Sequence, residues 1–329
     1  MNKLEQNDKF RSLSTKRNIS IDVFKGLAIT LTIFISCTAY FDQSPSWNRG
    51  TIGFGLNYVD IIAPLFVFAL ALNYKISFER RLIKKGYLKT YLHFIRRSLV
   101  LIIIGLLITI QIGLDGISLR WGTLQMLGSI SLIYLLFLRL KWIIKLIVSI
   151  SMMLFHQMFL LPHFESTIAD PAHGGILGSI AWTSILILSG VIIEKYTNTK
   201  KLFILLGGNL LIIFSLIFLP IWGFNRDLIT IPFILISVGI SSILFYIIFN
   251  LFEGFKMKSK IFEKENFLSI MGKNTLLLYI ILAFVKYIPY LLFHIDINFI
   301  LIFLIGIIMV LFNFIIAYIL YREKIYLII

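Results

Sequence analysis

Ten long stretches of this chain carry almost no charge, and short polar connections separate them. They cover residues 19–40, 58–73, 99–113, 122–138, 142–161, 175–193, 202–219, 229–251, 267–287 and 297–321. A helix needs about 20 mostly apolar residues to cross a bilayer, and only helices or closed barrels satisfy their backbone there. Barrel strands alternate in short segments, unlike these runs. The expected fold is therefore all-α: a polytopic helical membrane protein with about ten transmembrane helices. The second stretch is short, which suggests tilt or burial. The fourth and fifth are parted only by residues 139–141, which predicts a tight hairpin. Composition agrees: 59% of residues are hydrophobic and 14% charged, against about 25% charged in soluble domains. A single cysteine, Cys37, excludes a disulfide scaffold.

The net charge of +15 would suit nucleic acid if the basic residues formed one patch. They sort by side of the membrane instead. Of 31 Lys and Arg, 27 fall on one side, and only Arg49, Arg120, Arg226 and Lys286 on the other. Basic loops stay cytoplasmic, so the chain is expected in the cell membrane with both termini cytoplasmic. The charge is read as topology plus attraction to anionic lipid, with no nucleic acid partner. Residues 1–18 are read as a basic cytoplasmic segment and not a cleaved signal, since the first span is too long and no small-residue cleavage site follows. Residues 19–329 then form one transmembrane domain. The long cytoplasmic connections at 75–97 and 253–273 are expected to hold amphipathic helices lying on the membrane.

In so apolar a chain, polar residues at span ends are informative. Asp22 and Lys25 share a helix face three residues apart and can pair; a cap with an anchoring lysine reads equally well. Asp60 lies about a turn inside the second span, where a lone carboxylate is costly, and Arg49 and Asn48 are its nearest partners in sequence. A loop-clamping ion pair and a cavity-lining group both fit. At the outer start of the fourth span stand Arg120, Trp121 and Gln125, whose amide points into the bundle; a helix–helix hydrogen bond is the simplest account. At the cytoplasmic start of the ninth span, Gly272, Lys273 and Asn274 could hold an anion on backbone amides or simply cap a helix. Each outer arginine has an acid near it: Arg49 with Asp42, Arg120 with Asp115, Arg226 with Asp227. His156, His163, His173 and His294 also fall on the outer side. No metal-ligand spacing, P-loop, nucleophile elbow or dinucleotide fingerprint occurs.

Taken in order, these segments resemble the heparan-α-glucosaminide N-acetyltransferase family of membrane acyltransferases, including its prokaryotic members. Ser20, Asp22, Phe24, Lys25, Gly26 and Ala28 match its opening S-x-D-x-F-R-G-x-A, with lysine for arginine. Trp47, Asn48 and Gly50 match its outer Trp-Asn-Gly loop, with Arg49 inserted. Asp60, Pro64, Phe66 and Phe68 match its Asp-(x)3-Pro-x-F-x-F span. Arg96, Arg97, Gly105 and Leu106 match a basic stretch leading into Gly-Leu. Leu124, Gln125, Leu127 and Gly128 match Leu-Gln-Arg-Leu-Gly, with Met126 for arginine. Asp170, Pro171 and residues 175–178 match Asp-Pro-Glu-Gly-Ile-Leu-Gly, with an insertion carrying His173. Residues 225–234 and 272–274 match two later motifs. The family's active-site histidine falls near Ser44 here, its first-span asparagine at Ser36, and its ninth-span histidine near Ala283.

The resemblance implies acetyl-CoA as co-substrate, no metal, and acyl transfer to a sugar or other acceptor at the outer face. A thioester acyl transfer needs an anion-binding mouth for the donor, a base for the acceptor and donors for the oxyanion. Lys25, Arg96, Arg97, Lys273 and Asn274 are the candidates for the mouth. Asp60, Asn48 and Trp47 are the catalytic candidates, with His163 or His173 as replacement bases. Arg49, Arg120 and Gln125 are the candidates for holding substrate. Cys37, in an apolar helix without a neighbouring base, is a poor nucleophile. Expected partners are membrane lipids and a small-molecule or glycan acceptor, and a homodimer stays open. A transporter or flippase, or a catalytically degenerate member of the same fold, are the alternatives.

Overall fold

A computed structural model describes residues 18–113, 116–198, 202–254, 265–293 and 297–327. It contains helices α1 (Ile19–Thr38), α2 (Tyr58–Lys85), α3 (Tyr87–Thr109), α4 (Thr123–Phe137), α5 (Trp142–Phe155), α6 (Leu161–Ala169) and α7 (Gly175–Asn198). Helices α8 (Leu202–Trp222), α9 (Ile231–Phe249), α10 (Phe267–Lys273), α11 (Thr275–Val285), α12 (Ile288–Leu292) and α13 (Phe299–Arg322) complete it. One antiparallel hairpin, β1 (Ile110–Gly113) and β2 (Gly116–Leu119), links α3 to α4, with Ile110 opposite Leu119. A π-turn at His156–Leu160 carries α5 into α6 as one span. Among the described residues nine helical stretches are long and apolar enough to cross a membrane, and the shorter α4 makes a tenth apolar helix. The protein is a polytopic helical membrane protein.

Two expectations about the connections change. Residues 75–97 hold no surface helix. Helix α2 runs on to Lys85 and α3 begins at Tyr87, so the second span is long and only Gly86 stands between them. The helix continues past the apolar run because Phe78 stays buried against Tyr91 and Phe94, at ring separations of 5.2 and 5.4 Å. Gly86 ends α2 with φ 77°, a conformation that glycine adopts without a Cβ penalty. In the second connection, 255–264 lie outside the described residues. Its last helix, α10, is not on a surface: Gly26 of α1 meets the Leu268 backbone, and Gly272 meets the Asp22 backbone.

Helices α7 and α9 are buried along most of their length, while α8 and α13 face outward. Lipid tails are as apolar as leucine, so close approach and polar satisfaction hold such helices together. Gly208 and Gly239 bring α8 and α9 into backbone contact. Buried hydroxyls on α7 and α9, such as Thr183, Ser189, Ser241 and Ser242, return their hydrogens to carbonyls one turn back. Successive spans alternate in direction. The 39–57 loop, the hairpin, the Ala172–Gly174 turn and the 223–230 loop gather at one end, here the loop end. The start of α1, the α2–α3 junction and the 138–141 turn lie at the other, the basic end.

Candidate functional site

Asp60 sits in the first turn of α2 with its carboxylate fully buried. Four donors reach it. The Thr51 amide (3.2 Å) and Arg226 Nη1 (3.1 Å) donate to Oδ1; the Thr51 hydroxyl (2.6 Å) and the Asn57 amide (2.8 Å) donate to Oδ2. The cation is therefore Arg226 from the 223–230 loop, and neither Arg49 nor Asn48, which the sequence order favoured. Arg49 donates instead to the carbonyls of Phe41 (2.7 Å) and Asp42 (2.9 Å), clamping its own loop through backbone and not through the Asp42 carboxylate. Asp227 does hold Arg226, at 3.0 Å, so the guanidinium is fixed from two sides. Gly50 leaves the space this guanidinium occupies. Asp115, the acid expected beside Arg120, lies outside the described residues, as does His294.

Asn48 is buried. Its Nδ2 donates to Thr38 Oγ1 and Ser44 Oγ, both at 3.0 Å, and its Oδ1 accepts from the Tyr58 hydroxyl at 2.6 Å. Ser44 thus belongs to a closed hydrogen-bonded cluster. Trp47 is half-exposed and covers it, packed on Tyr58 and on Phe303 of α13. Asn57 ties this cluster to Asp60 by donating to the carbonyls of Ser46 and Arg49.

His173 lies on the Ala172–Gly174 turn in a left-handed conformation (φ 58°), which is uncommon for a residue with a Cβ. Its carbonyl accepts from the Trp182 indole at 3.1 Å, and its Nε2 meets Thr123 Oγ1 at 3.0 Å. The Tyr279 hydroxyl of α11 also reaches Thr123, and Arg226 lies within electrostatic range of the His173 ring. Both His173 and Tyr279 are half-buried. Asp60, Arg226, His173, Thr123 and Tyr279 form one neighbourhood drawn from five segments. Sequence reasoning singled out Asp60 and His173 but not Thr123 or Tyr279, and it read Arg226 as a loop arginine.

The other outer candidates go elsewhere. Gln125 is buried between α3 and α4, donating to Thr109 Oγ1 (2.7 Å) and the Arg120 carbonyl (3.1 Å), beside Gly105 and Gly122. Arg120 is exposed at the rim of a separate groove. His163 is exposed, stacked on Phe159 and bonded to its carbonyl. His156, buried, meets the Leu228 carbonyl at 2.9 Å and supports the Arg226 loop.

At the basic end, Lys25 immediately precedes Gly26, where α1 meets the Leu268 backbone of α10. Lys273 pairs with Glu265 and lies 4.4 Å over the Tyr321 ring. Asn274 is buried at the α10–α11 break and donates to the Ile325 carbonyl at 3.1 Å. Arg96 is exposed and Arg97 half-buried beside Tyr74, on α3. Sequence reasoning missed a further group: Lys145 of α5, fully buried, pairs with Glu194 of α7, which Lys75 of α2 also reaches at 3.3 Å. No group of three His, Cys, Asp or Glu able to hold a metal occurs among the described residues.

A comparison with curated proteins finds no match. The family model described as "Heparan-alpha-glucosaminide N-acetyltransferase, catalytic" matches residues 17–167. That stretch holds Asn48, Asp60 and Thr123 and ends just before the His173 turn. Over this stretch the chain is similar to the catalytic region of that family of membrane acyltransferases.

Proposed function

We propose that the protein transfers an acetyl or other acyl group from a coenzyme A thioester at the basic, cytoplasmic end to an amine or hydroxyl of a sugar-like acceptor at the loop end. The observation that supports this reading is the clustering of His173, Thr123, Tyr279 and the Asp60–Arg226 pair in one neighbourhood. In the transfer, the acceptor nitrogen or oxygen bonds to the acyl carbon, the C–S bond breaks, and the thiolate leaves. His173 Nε2 takes the acceptor's proton, oriented by Thr123. The Arg226 guanidinium and the Tyr279 hydroxyl face the oxyanion that develops. Asp60, with four donors already on its oxygens, is a positioning residue for Arg226. Lys25, Arg96 and Arg97 supply positive charge for the donor's phosphates. Ser44 in the place of the family histidine favours a second reading, a degenerate member that binds donor without turnover.

His173→Asn separates the two. Asparagine tolerates the left-handed turn but cannot take the proton. Transfer of radiolabelled acetyl to an alkyl glucosaminide should fall about 100-fold or more, with coenzyme A binding and thermal unfolding unchanged. Undiminished transfer removes His173 from the chemistry. Donor binding without turnover in the unaltered protein establishes the degenerate reading.

A further inference from the structure

Outside the cluster around His173, a groove of about 350 Å³ opens at the loop end, between α3 and the turn from α6 into α7. Leu106, Pro171, Ile176 and Leu177 give it apolar walls, and Arg120 and Trp121 stand in its lining. It faces outward: Ile103, Leu107 and Ile176 expose apolar surface beside it. Arg120 is exposed, and its guanidinium has no acid or carbonyl partner among the described residues. The Trp121 indole N–H is buried and has no acceptor among them either. An arginine and an indole donor, both without partners among the described residues and both lining an apolar groove in a membrane protein, fit a ligand with an anionic head and a hydrocarbon tail. Arginine presents a planar fork that matches phosphate oxygens. Tryptophan at a membrane interface keeps its ring in the apolar layer and its N–H toward head groups. A water-soluble sugar would gain nothing from the four apolar walls.

We propose that this groove binds a phosphate-bearing membrane lipid, its phosphate on Arg120 and Trp121 and one chain along Leu106, Ile176 and Leu177. The site stands independently of the acyltransferase reading. It has one consequence for that reading. Pro171 and Gly175, which flank the Ala172–Gly174 turn, line the groove, so an occupied groove braces the turn that carries His173.

Full-length protein exchanged into mixed micelles with equal amounts of phosphatidylglycerol and phosphatidylcholine, matched in chains, tests this by native mass spectrometry. One retained phosphatidylglycerol is expected, favoured about fivefold over phosphatidylcholine, the scale of one arginine near anionic head groups. Arg120→Gln should abolish the preference and Arg120→Lys should keep most of it. Ile176→Trp, which fills the groove, should abolish retention of both lipids. Thermal unfolding of each variant without lipid reports that it is folded. Phosphatidylglycerol should raise the unfolding temperature of the unaltered protein and not that of Arg120→Gln. An unchanged preference in Arg120→Gln, or retention that survives Ile176→Trp, overturns the proposal. So does displacement of the lipid by inorganic phosphate alone, which would make this a simple anion site.

Discussion

Asp60 and Arg226 are 166 residues apart in the chain and 3.1 Å apart in the fold. A carboxylate inside an apolar span demanded a partner, and that much was legible in the sequence. The identity of the partner was not, because proximity along the chain pointed to Arg49 while the pairing depends on where the α8–α9 loop lands. The same reason hid Thr123 and Tyr279, ordinary residues until three helices bring them to His173. The pairing predicts a specific coupling. Asp60→Asn turns an amide NH2 toward two donors whichever way it is flipped, so it should cost about 2–3 kcal/mol of stability in detergent. Arg226→Gln should cost less, since that side chain is 31% exposed and water can replace part of what is lost. The double variant should fall short of the sum by about 1 kcal/mol, and Arg49→Gln should simply add to Asp60→Asn. Unfolding monitored for the three single and two double variants gives both cycles; coupling to Arg49 with additivity at Arg226 would reverse the assignment. Gly50→Ala offers a check that leaves both charges in place, because its methyl group would displace the guanidinium.

Ten apolar stretches were countable in the sequence, and nine long apolar helices plus the shorter α4 occur among the described residues, yet the element boundaries that matter were set by packing. Helix α2 outlasts its apolar run by 12 residues because Phe78 and its neighbours bury a face that hydropathy does not register. Lys145, which counts as one more basic-side residue in the sequence, is fully buried because Glu194 and Lys75 come from two other helices. The α1–α10 crossing shows the same dependence on small residues. At Gly26 and Gly272 an added Cβ would overlap backbone of the opposite helix, which cannot move aside as a flexible side chain can. Gly272→Ala should therefore destabilise by at least the 1–3 kcal/mol typical of overpacking, roughly. Gly207→Ala on α8, where the nearest atoms are Ile192 side-chain carbons at 3.7 Å or more, should be neutral or slightly stabilising through helix propensity. Fluorescence-detected thermal unfolding of the two variants decides it. Equal melting temperatures would mean that α1 and α10 separate without cost. Because Lys25, Asp22, Lys273 and Asn274 all border this crossing, Gly272→Ala should also weaken donor binding, and Gly207→Ala should not.

A molecule whose two ends carry different chemistry makes sense only with a defined direction across the membrane. The expected direction comes from the sequence, which puts four basic residues on one side of the spans and 27 on the other, through the bias of basic loops toward the cytoplasm. On the proposed function, the neighbourhood of His173 and the Asp60–Arg226 pair faces out, and Lys25, Arg96 and Arg97 face the coenzyme A pool. Labelling checks the geometry first. The native Cys37 is buried, so a membrane-impermeant thiol reagent should report only introduced cysteines. Ser166→Cys and Asn298→Cys, both exposed at the loop end, should label in intact cells, and Lys141→Cys only after permeabilisation. Function then follows from direction. In sealed inside-out vesicles, acetyl-CoA added outside should acetylate an acceptor trapped inside, because its phosphates meet the basic end and the reacting carbonyl passes inward. In right-side-out vesicles the same addition should do nothing, since a polyanion meets a face with few cations. Arg96→Gln with Arg97→Gln should raise the acetyl-CoA concentration needed in inside-out vesicles and flatten its dependence on salt, without changing the labelling pattern. Transfer of equal rate in both vesicle orientations would show that donor and acceptor use the same side, and the two-ended mechanism would fall even if His173 proved essential.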